Sequence, residues 1–286
     1  MTLPPRSVAN ARHGTGEGAA FMADRPSAPE IDTSVPHSAR VWNYWLGGKD
    51  NYPADRELGD QVKEVFPGIV DLARAGRAFL KRTIRYLAGE AGIRQFLDVG
   101  TGLPTADNTH QIAQRVAPEA RIVYVDNDPL VLAHAEALLT STPEGRTDYV
   151  FADLREPDVI LTRAADTLDL TRPIALSLMG IMGHVADYSE ARSIVSRLLD
   201  GLPSGSYLAL YDGSATADDI VQGADSYNDS ETVPYIVRPP EEIKGFFEGL
   251  ELVEPGVVPI QRWRPEESAF AAAPHVDAMG GVGRKP

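Results

Sequence analysis

Apolar positions along the chain change their period near residue 94. Before it they recur at helical spacing. Val41, Trp42, Trp45 and Leu46 share one face of a first helix that stops at Gly47-Gly48. Asn51-Tyr52-Pro53 opens a second, with Leu58, Val62, Val65 and Phe66 inward and Pro67-Gly68 as its stop. A third, from about Asp71 to Glu90, sets Leu72, Phe79, Leu80, Ile84 and Leu87 on one side and Arg74, Arg77, Lys81 and Arg85 on another. After Arg94 short apolar runs alternate with helical stretches. Phe96-Leu97-Asp98-Val99 is too short for a helix and breaks at Gly100-Thr101-Gly102. A helical pattern then begins at Pro104 and carries Thr109, Ile112, Ala113 and Val116. Strands follow at Arg121–Asp126, Tyr149–Ala152, Ile174–Met182 and Tyr207–Tyr211. Between them lie a helix opened by Asp128-Pro129 with Val131, Ala135 and Leu138 inward, a short helix from Pro157 to Ala165, and one built on Ala191, Ile194, Val195, Leu198 and Leu199. Such alternation predicts a mainly parallel α/β sheet.

Four further segments complete the domain plan. Residues 1–33 read as a disordered leader, rich in Pro, Gly, Ala and Ser without an apolar period. Residues 34–91 form an N-terminal helical cap, and 92–264 the main domain, interrupted by a long acidic insertion at 212–238. Leu250–Val253 and Val257–Arg262 are expected as a terminal hairpin around Glu254-Pro255-Gly256, and 265–286 as a flexible tail.

The turn at residues 100–102 is the first candidate for chemistry. Glycines there accept positive φ and leave no Cβ in a ligand's way, and the next helix start would present unpaired N–H groups. Asp98 stands two residues before the first glycine. The second strand ends in Asp126, placed to meet the hydroxyls of a ribose, and the third closes on Ala152-Asp153. A dinucleotide competes with adenosine alone for this cradle. Its fingerprint needs a third glycine three residues after the second, where this chain has Thr105, so the pattern favours the single nucleoside. Asp126 as an ordinary helix cap is the plainer alternative, although Asp128 suits that task better. Asp98 either orients the glycine turn or meets a ligand ammonium directly.

Asp98-Val99-Gly100-Thr101-Gly102 resembles the first motif of class I S-adenosylmethionine (SAM) dependent methyltransferases, an acid-x-Gly-x-Gly run. With His37–Tyr52 (H-S-A-R-V-W-N-Y-W-L-G-G-K-D-N-Y) and the R-A-F-L of Arg77–Leu80, the chain is similar to an actinobacterial family of SAM-methyltransferase-like proteins long filed as a domain of unknown function. The likeness runs from about Ser34 to Trp263. It implies a Rossmann-like sheet of seven strands, mainly parallel with the last antiparallel. It implies SAM as cofactor and S-adenosylhomocysteine (SAH) as product. By the same resemblance Gly100, Thr101 and Gly102 approach the methionine moiety, Asp126 holds the ribose with Asn127 beside it, and Asp153 and Leu154 flank adenine. Arg77 is the candidate for the methionine carboxylate, and the third helix with the Asn51-Tyr52 turn is expected as one wall of the pocket.

Composition narrows the partners. The 286 residues contain no cysteine, which excludes disulfides and thiolate chemistry and fits a cytoplasmic protein. No secretion signal or membrane span is visible, since the longest apolar run, Ile174 to Val185, is far short of the roughly 20 residues needed. Net charge is −14, and Asp212 to Glu254 holds eleven acids against Arg238 and Lys244. A polyanion would be repelled, so nucleic acid is disfavoured and a small molecule is the expected substrate. Asp212, Asp218 and Asp219 read as a solvated acidic run rather than metal ligands.

Catalysis is less legible. After the fourth strand, where amino-directed enzymes often carry Asn-Pro-Pro-Tyr, the chain reads Met179-Gly180-Ile181-Met182-Gly183-His184. His184 follows a buried strand at the crevice end and is the candidate general base, against the plainer reading of a packed or capping histidine. Two functions stand: methyl transfer to a small organic acceptor, or a SAM-binding sensor or scaffold that has lost transfer.

Overall fold

The computed structural model describes residues 31–286 apart from Ala106, Leu139, Glu231 and 267–273, without the side chains of 135–138. The expected leader, but for residues 31–33, and the inward positions of Ala135 and Leu138 therefore lie outside the described residues.

Three helices come first: α1 (Ser38–Trp45), α2 (Pro53–Val65) and α3 (Ile69–Gly89). The α/β part follows as β1 (Gln95–Val99), α4 (Thr109–Val116), β2 (Arg121–Asp126), α5 (Pro129–Leu138), β3 (Arg146–Phe151), α6 (Pro157–Ala164), β4 (Ala175–Met179), α7 (Tyr188–Asp200) and β5 (Tyr207–Gly213). It ends with α8 (Asp218–Asn228), α9 (Pro240–Gly245), β6 (Glu251–Leu252), β7 (Val258–Pro259) and β8 (Ala278–Arg284). The eight strands run in the order β3-β2-β1-β4-β5-β8-β6, with β7 also paired to β8. The first five are parallel and β8 is antiparallel, as the α/β expectation required.

Both sheet faces are covered, so the strands read as nearly continuous apolar runs. Phe96, Ile122, Tyr124, Ala175, Ala209 and Tyr211 point to the side of α1–α4. Leu97, Val99, Val123, Val125, Leu176 and Leu178 point to the side of α6, α7 and α9.

Three expectations are corrected. The helix after the glycine turn starts at Thr109 and not Pro104, because Asn108 and Gln111 make a capping box there. The expected hairpin at 250–262 does not exist as such. β6 and β7 each pair with β8, inside the segment expected as a flexible tail. The strand was hidden by its glycines, which depress strand propensity. They are there for contact: a Cβ on Gly280 would lie 2.5 Å from Tyr211 Cβ, and one on Gly283 2.9 Å from Leu250 Cβ. The sheet accordingly has eight strands where seven were expected. Finally, the 212–238 segment is built in. Asp212 belongs to β5, α8 packs on α2, and Arg238 returns to bridge Ser214.

Candidate functional site

A cavity opens at the carboxyl ends of β1, β4 and β5, roofed by the N-terminal helices, with about 1290 Å³ of empty space including its mouth. Such a crevice is where an open α/β sheet binds its ligand.

One half is built from the first strand and its turn. Asp98 is buried and accepts a hydrogen bond from the Thr109 hydroxyl at 2.6 Å. Burial pushes its carboxyl above the ordinary range, while that bond and the Arg77 guanidinium oppose the rise. Gly100 and Gly102 hold φ of 73° and 64°, the left-handed region where glycine is favoured. Their uses differ. A Cβ on Gly100 would strike Ile181 at 2.4 Å, so that glycine lets the turn pack closely against the segment that follows β4. A Cβ on Gly102 would meet nothing within 4 Å, so backbone there borders open space. Arg77, from α3, lines the same half and donates from Nη2 to the Asp107 carbonyl at 2.9 Å. Burial lowers its pKa, and Asp98 is first among the groups that counter this.

Asp126 sits beside this half rather than in its wall. Its buried carboxylate accepts from the N–H groups of Gly102 at 2.7 Å and Asp128 at 3.0 Å. It thus fixes the glycine turn from the end of β2, and burial raises its pKa above the ordinary carboxylate range. The helix cap is Asp128, which accepts from Leu130 N–H at 2.8 Å and meets His37 Nδ1 at 3.0 Å. Asn127 donates to Asp153 at 3.2 Å, and Asp153 accepts from Arg155 N–H at 2.8 Å. Leu154 is packed into the core on the far side of the sheet with Val99 and Val125. Asp126, Asn127, Asp153 and Leu154 thus lie outside the cavity lining, Asp126 joined to it through Gly102, while Asp98, Gly100, Thr101, Gly102, Arg77 and His184 line it. The expected wall is half right: α3 contributes Ile69, Leu72, Gly76 and Leu80, but Asn51 and Tyr52 do not line it. Tyr52 packs instead with Leu103, Leu130 and Val131.

The other half is apolar. Trp42 and Trp45 of α1, Phe66, and Ile220 and Tyr227 of α8 surround it. His184, in a 3-10 turn over Met182–His184, stands at its edge. Its Nδ1 lies 3.0 Å from the Pro234 carbonyl, which only accepts, so Nδ1 carries the proton. Burial lowers its pKa, which leaves the ring neutral at pH 7 with Nε2 as an acceptor. Tyr235 packs edge-to-face on it at 5.1 Å.

Two groups here went unread in the sequence. Asp212, expected in a solvated run, is completely buried, and burial pushes its pKa up to about 6. Asp218 and Asp219 are exposed as expected. The signal was available, since Asp212 ends its strand as Asp98 and Asp126 end theirs. Tyr235 donates to Asp212 Oδ1 at 2.6 Å and accepts from Gly213 N–H at 3.1 Å. Nothing local in V-P-Y-I-V-R marks it.

The donor set fits a sulfonium-bearing amino acid joined to adenosine: an acid and aromatic faces for positive charge, a guanidinium for a carboxylate, and a side-chain-free turn at Gly102. Residues 24–286 match the S-adenosyl methyltransferase family. The chain belongs to that family, whose cofactor is SAM. Among solved structures, the methyltransferase is 48% identical to a DUF574 family protein from Streptomyces avermitilis, covering 90% of this chain and 100% of that one at a TM-score of 0.85. It is 41% identical to a candidate methyltransferase from Thermobifida fusca, covering 89% and 96% at a TM-score of 0.82. Comparison with curated proteins gives no match. Among the described residues, no helix is long and apolar enough to cross a membrane.

Proposed function

We propose that this methyltransferase methylates a small organic acceptor held in the apolar half of the cavity. The observation that carries the reading is that a single cavity joins the Asp98–Gly102 turn to an apolar chamber with His184 at its edge. SAM, when bound, supplies an electrophilic methyl group on a sulfonium. Arg77 would hold the methionine carboxylate, Asp98 the ammonium end, and Gly100, Thr101 and Gly102 the backbone alongside. Asp126 would take the ribose hydroxyls through lone pairs left over from its two N–H donors, with Asn127, Asp153 and Leu154 on the adenine side. Methyl transfer is an in-line displacement, so holding the two reactants in line supplies much of the acceleration. His184 then removes a proton where the acceptor must lose one. The uncharged chamber and the chain's acidity favour a small molecule over nucleic acid.

Isothermal titration with SAM, SAH and NAD, followed by a metabolite-extract screen with methyl-labelled SAM, tests this. SAM and SAH should bind more tightly than NAD, and label should pass to a low-molecular-weight product. Tight SAH binding with no labelled product would favour the sensor or scaffold reading, and tighter NAD binding would overturn the cofactor assignment for this site.

A further inference from the structure

The cavity's second half has a chemistry of its own. The residues contributed by α1, α2 and α8, among them Trp42, Trp45, Val62, Ile220 and Tyr227, include no Lys, Arg, Asp or Glu. Among the described residues, the charged side chains lining the cavity are Arg77 and Asp98, and both belong to the cofactor half. A charged acceptor in the apolar half would lose its hydration without gaining a counter-ion, a large penalty. α8, one wall of that half, also carries exposed Asp218, Asp219 and Asp225, which repel anions. Aromatic faces on several sides suit a flat ring.

Two polar groups stand at the edge nearest the turn after β4, and they differ in what they leave open. The Tyr235 hydroxyl donates to Asp212 and accepts from Gly213 N–H, so its bonds are made within the protein. His184 spends its Nδ1 proton on the Pro234 carbonyl, so Nε2 can only accept. An acceptor nitrogen on a side chain that lines a desolvated chamber calls for a donor on the ligand, since a bond left unmade there costs free energy.

We propose that the acceptor is an uncharged aromatic hydroxyl compound, its ring among Trp42, Trp45, Phe66 and Tyr227 and its O–H directed at His184. The assignment rests on the methyltransferase reading above. In the step it implies, the hydroxyl oxygen forms a bond to the methyl carbon as the carbon–sulfur bond breaks. The pair of that bond stays on sulfur, leaving the neutral thioether SAH. The hydroxyl proton passes to His184 Nε2, so the positive charge of the sulfonium reappears as imidazolium.

The test is calorimetric binding to the full chain loaded with SAH, using 2-naphthol, 2-methoxynaphthalene and 2-naphthoate. 2-Naphthol should bind at least 10-fold more tightly than 2-methoxynaphthalene, which lacks the donor, and 2-naphthoate, which is charged. Ala224→Phe, which places a ring in the apolar half from α8, should weaken 2-naphthol at least 10-fold while SAH affinity is retained. The three-ligand series on the unmodified chain stands even if that variant does not fold. No 2-naphthol binding, equal or tighter binding of either analogue, or undiminished 2-naphthol binding by a folded Ala224→Phe protein would overturn the acceptor class with the methyltransferase reading intact. Failure of SAH itself to bind would overturn that reading, and the acceptor class with it.

Discussion

The two halves of the cavity are built in opposite ways. The cofactor half is nearly contiguous, since Asp98 to Gly102 supplies its turn and Arg77 is added from the preceding helix. The apolar half, proposed above for the acceptor, is assembled from α1, α2, α8, the turn at His184 and the segment around Tyr235, which are far apart in the chain. A contiguous motif is held by local geometry: two glycines at positive φ, one N–H bonded to the Val125 carbonyl and the other to the Asp126 carboxylate. A dispersed chamber is held by the packing of whole elements. The cofactor half should therefore yield to point changes, and the acceptor half to loss of the strands and helices beneath it.

The largest effect is expected from deleting residues 278–286. β8 pairs with β5 along its whole length, and β5 carries Tyr211, Asp212 and Gly213 at the acceptor side. The deletion should abolish the cooperative thermal transition in calorimetry. A protein that still melts sharply and binds SAH would show that the acceptor half does not depend on this strand.

His184→Gln comes next. With SAM affinity retained, turnover should fall about 100-fold if His184 takes the acceptor proton. Because burial lowers its pKa, the unmodified enzyme should hold its rate as pH drops to the ordinary histidine range and lose it only below. Unchanged turnover would leave positioning alone as the acceptor half's contribution.

Asp126→Ala should weaken SAM by about 1.5 to 3 kcal/mol, the range for hydrogen bonds to a charged group. The melting temperature should fall as well, because Gly102 and Asp128 N–H groups lose their acceptor. Titration calorimetry and a thermal scan separate the two. A lower melting temperature at unchanged affinity would make Asp126 a brace for the turn and nothing more.

The smallest effect concerns Asp212. Its pKa is pushed from 3.8 up to about 6, so between those values the folded protein holds a proton the unfolded chain has lost. Folding stability carried by this group therefore falls as pH rises from about 4 to 6. Asp212→Asn removes the penalty while keeping an oxygen for the Tyr235 hydroxyl. Denaturant unfolding should show the variant more stable at pH 7.5, on the order of 2 kcal/mol, with the gain gone near pH 4. A gain independent of pH would assign the effect to packing.

The residues themselves determined more of the cofactor half than of the acceptor half. Phe96 to Val99 as a buried strand, the glycine turn, and Asp126 closing the second strand were all legible, because strand period, φ preference and strand-end acids are local signals. Asp128 was readable as the helix cap for the same reason. The helix start at Thr109 needed a choice between Pro104 and the Asn108–Gln111 capping box, two local signals of which the box prevails.

Tertiary structure decided what local pattern does not encode. The glycine-rich A-M-G-G-V-G-R is poor as an isolated strand and becomes one only where β5, β6 and β7 supply its partners and Tyr211 and Leu250 leave no room for side chains. Asp212 looked like part of an acidic surface, since sequence charge carries no record of burial. Its place beneath Tyr235 follows from the return of residues 232–238 across the end of β5, a contact between segments about 20 residues apart. The glycine turn is a property of a few neighbouring residues and their backbone angles, and the apolar chamber is a property of how distant helices close over the sheet.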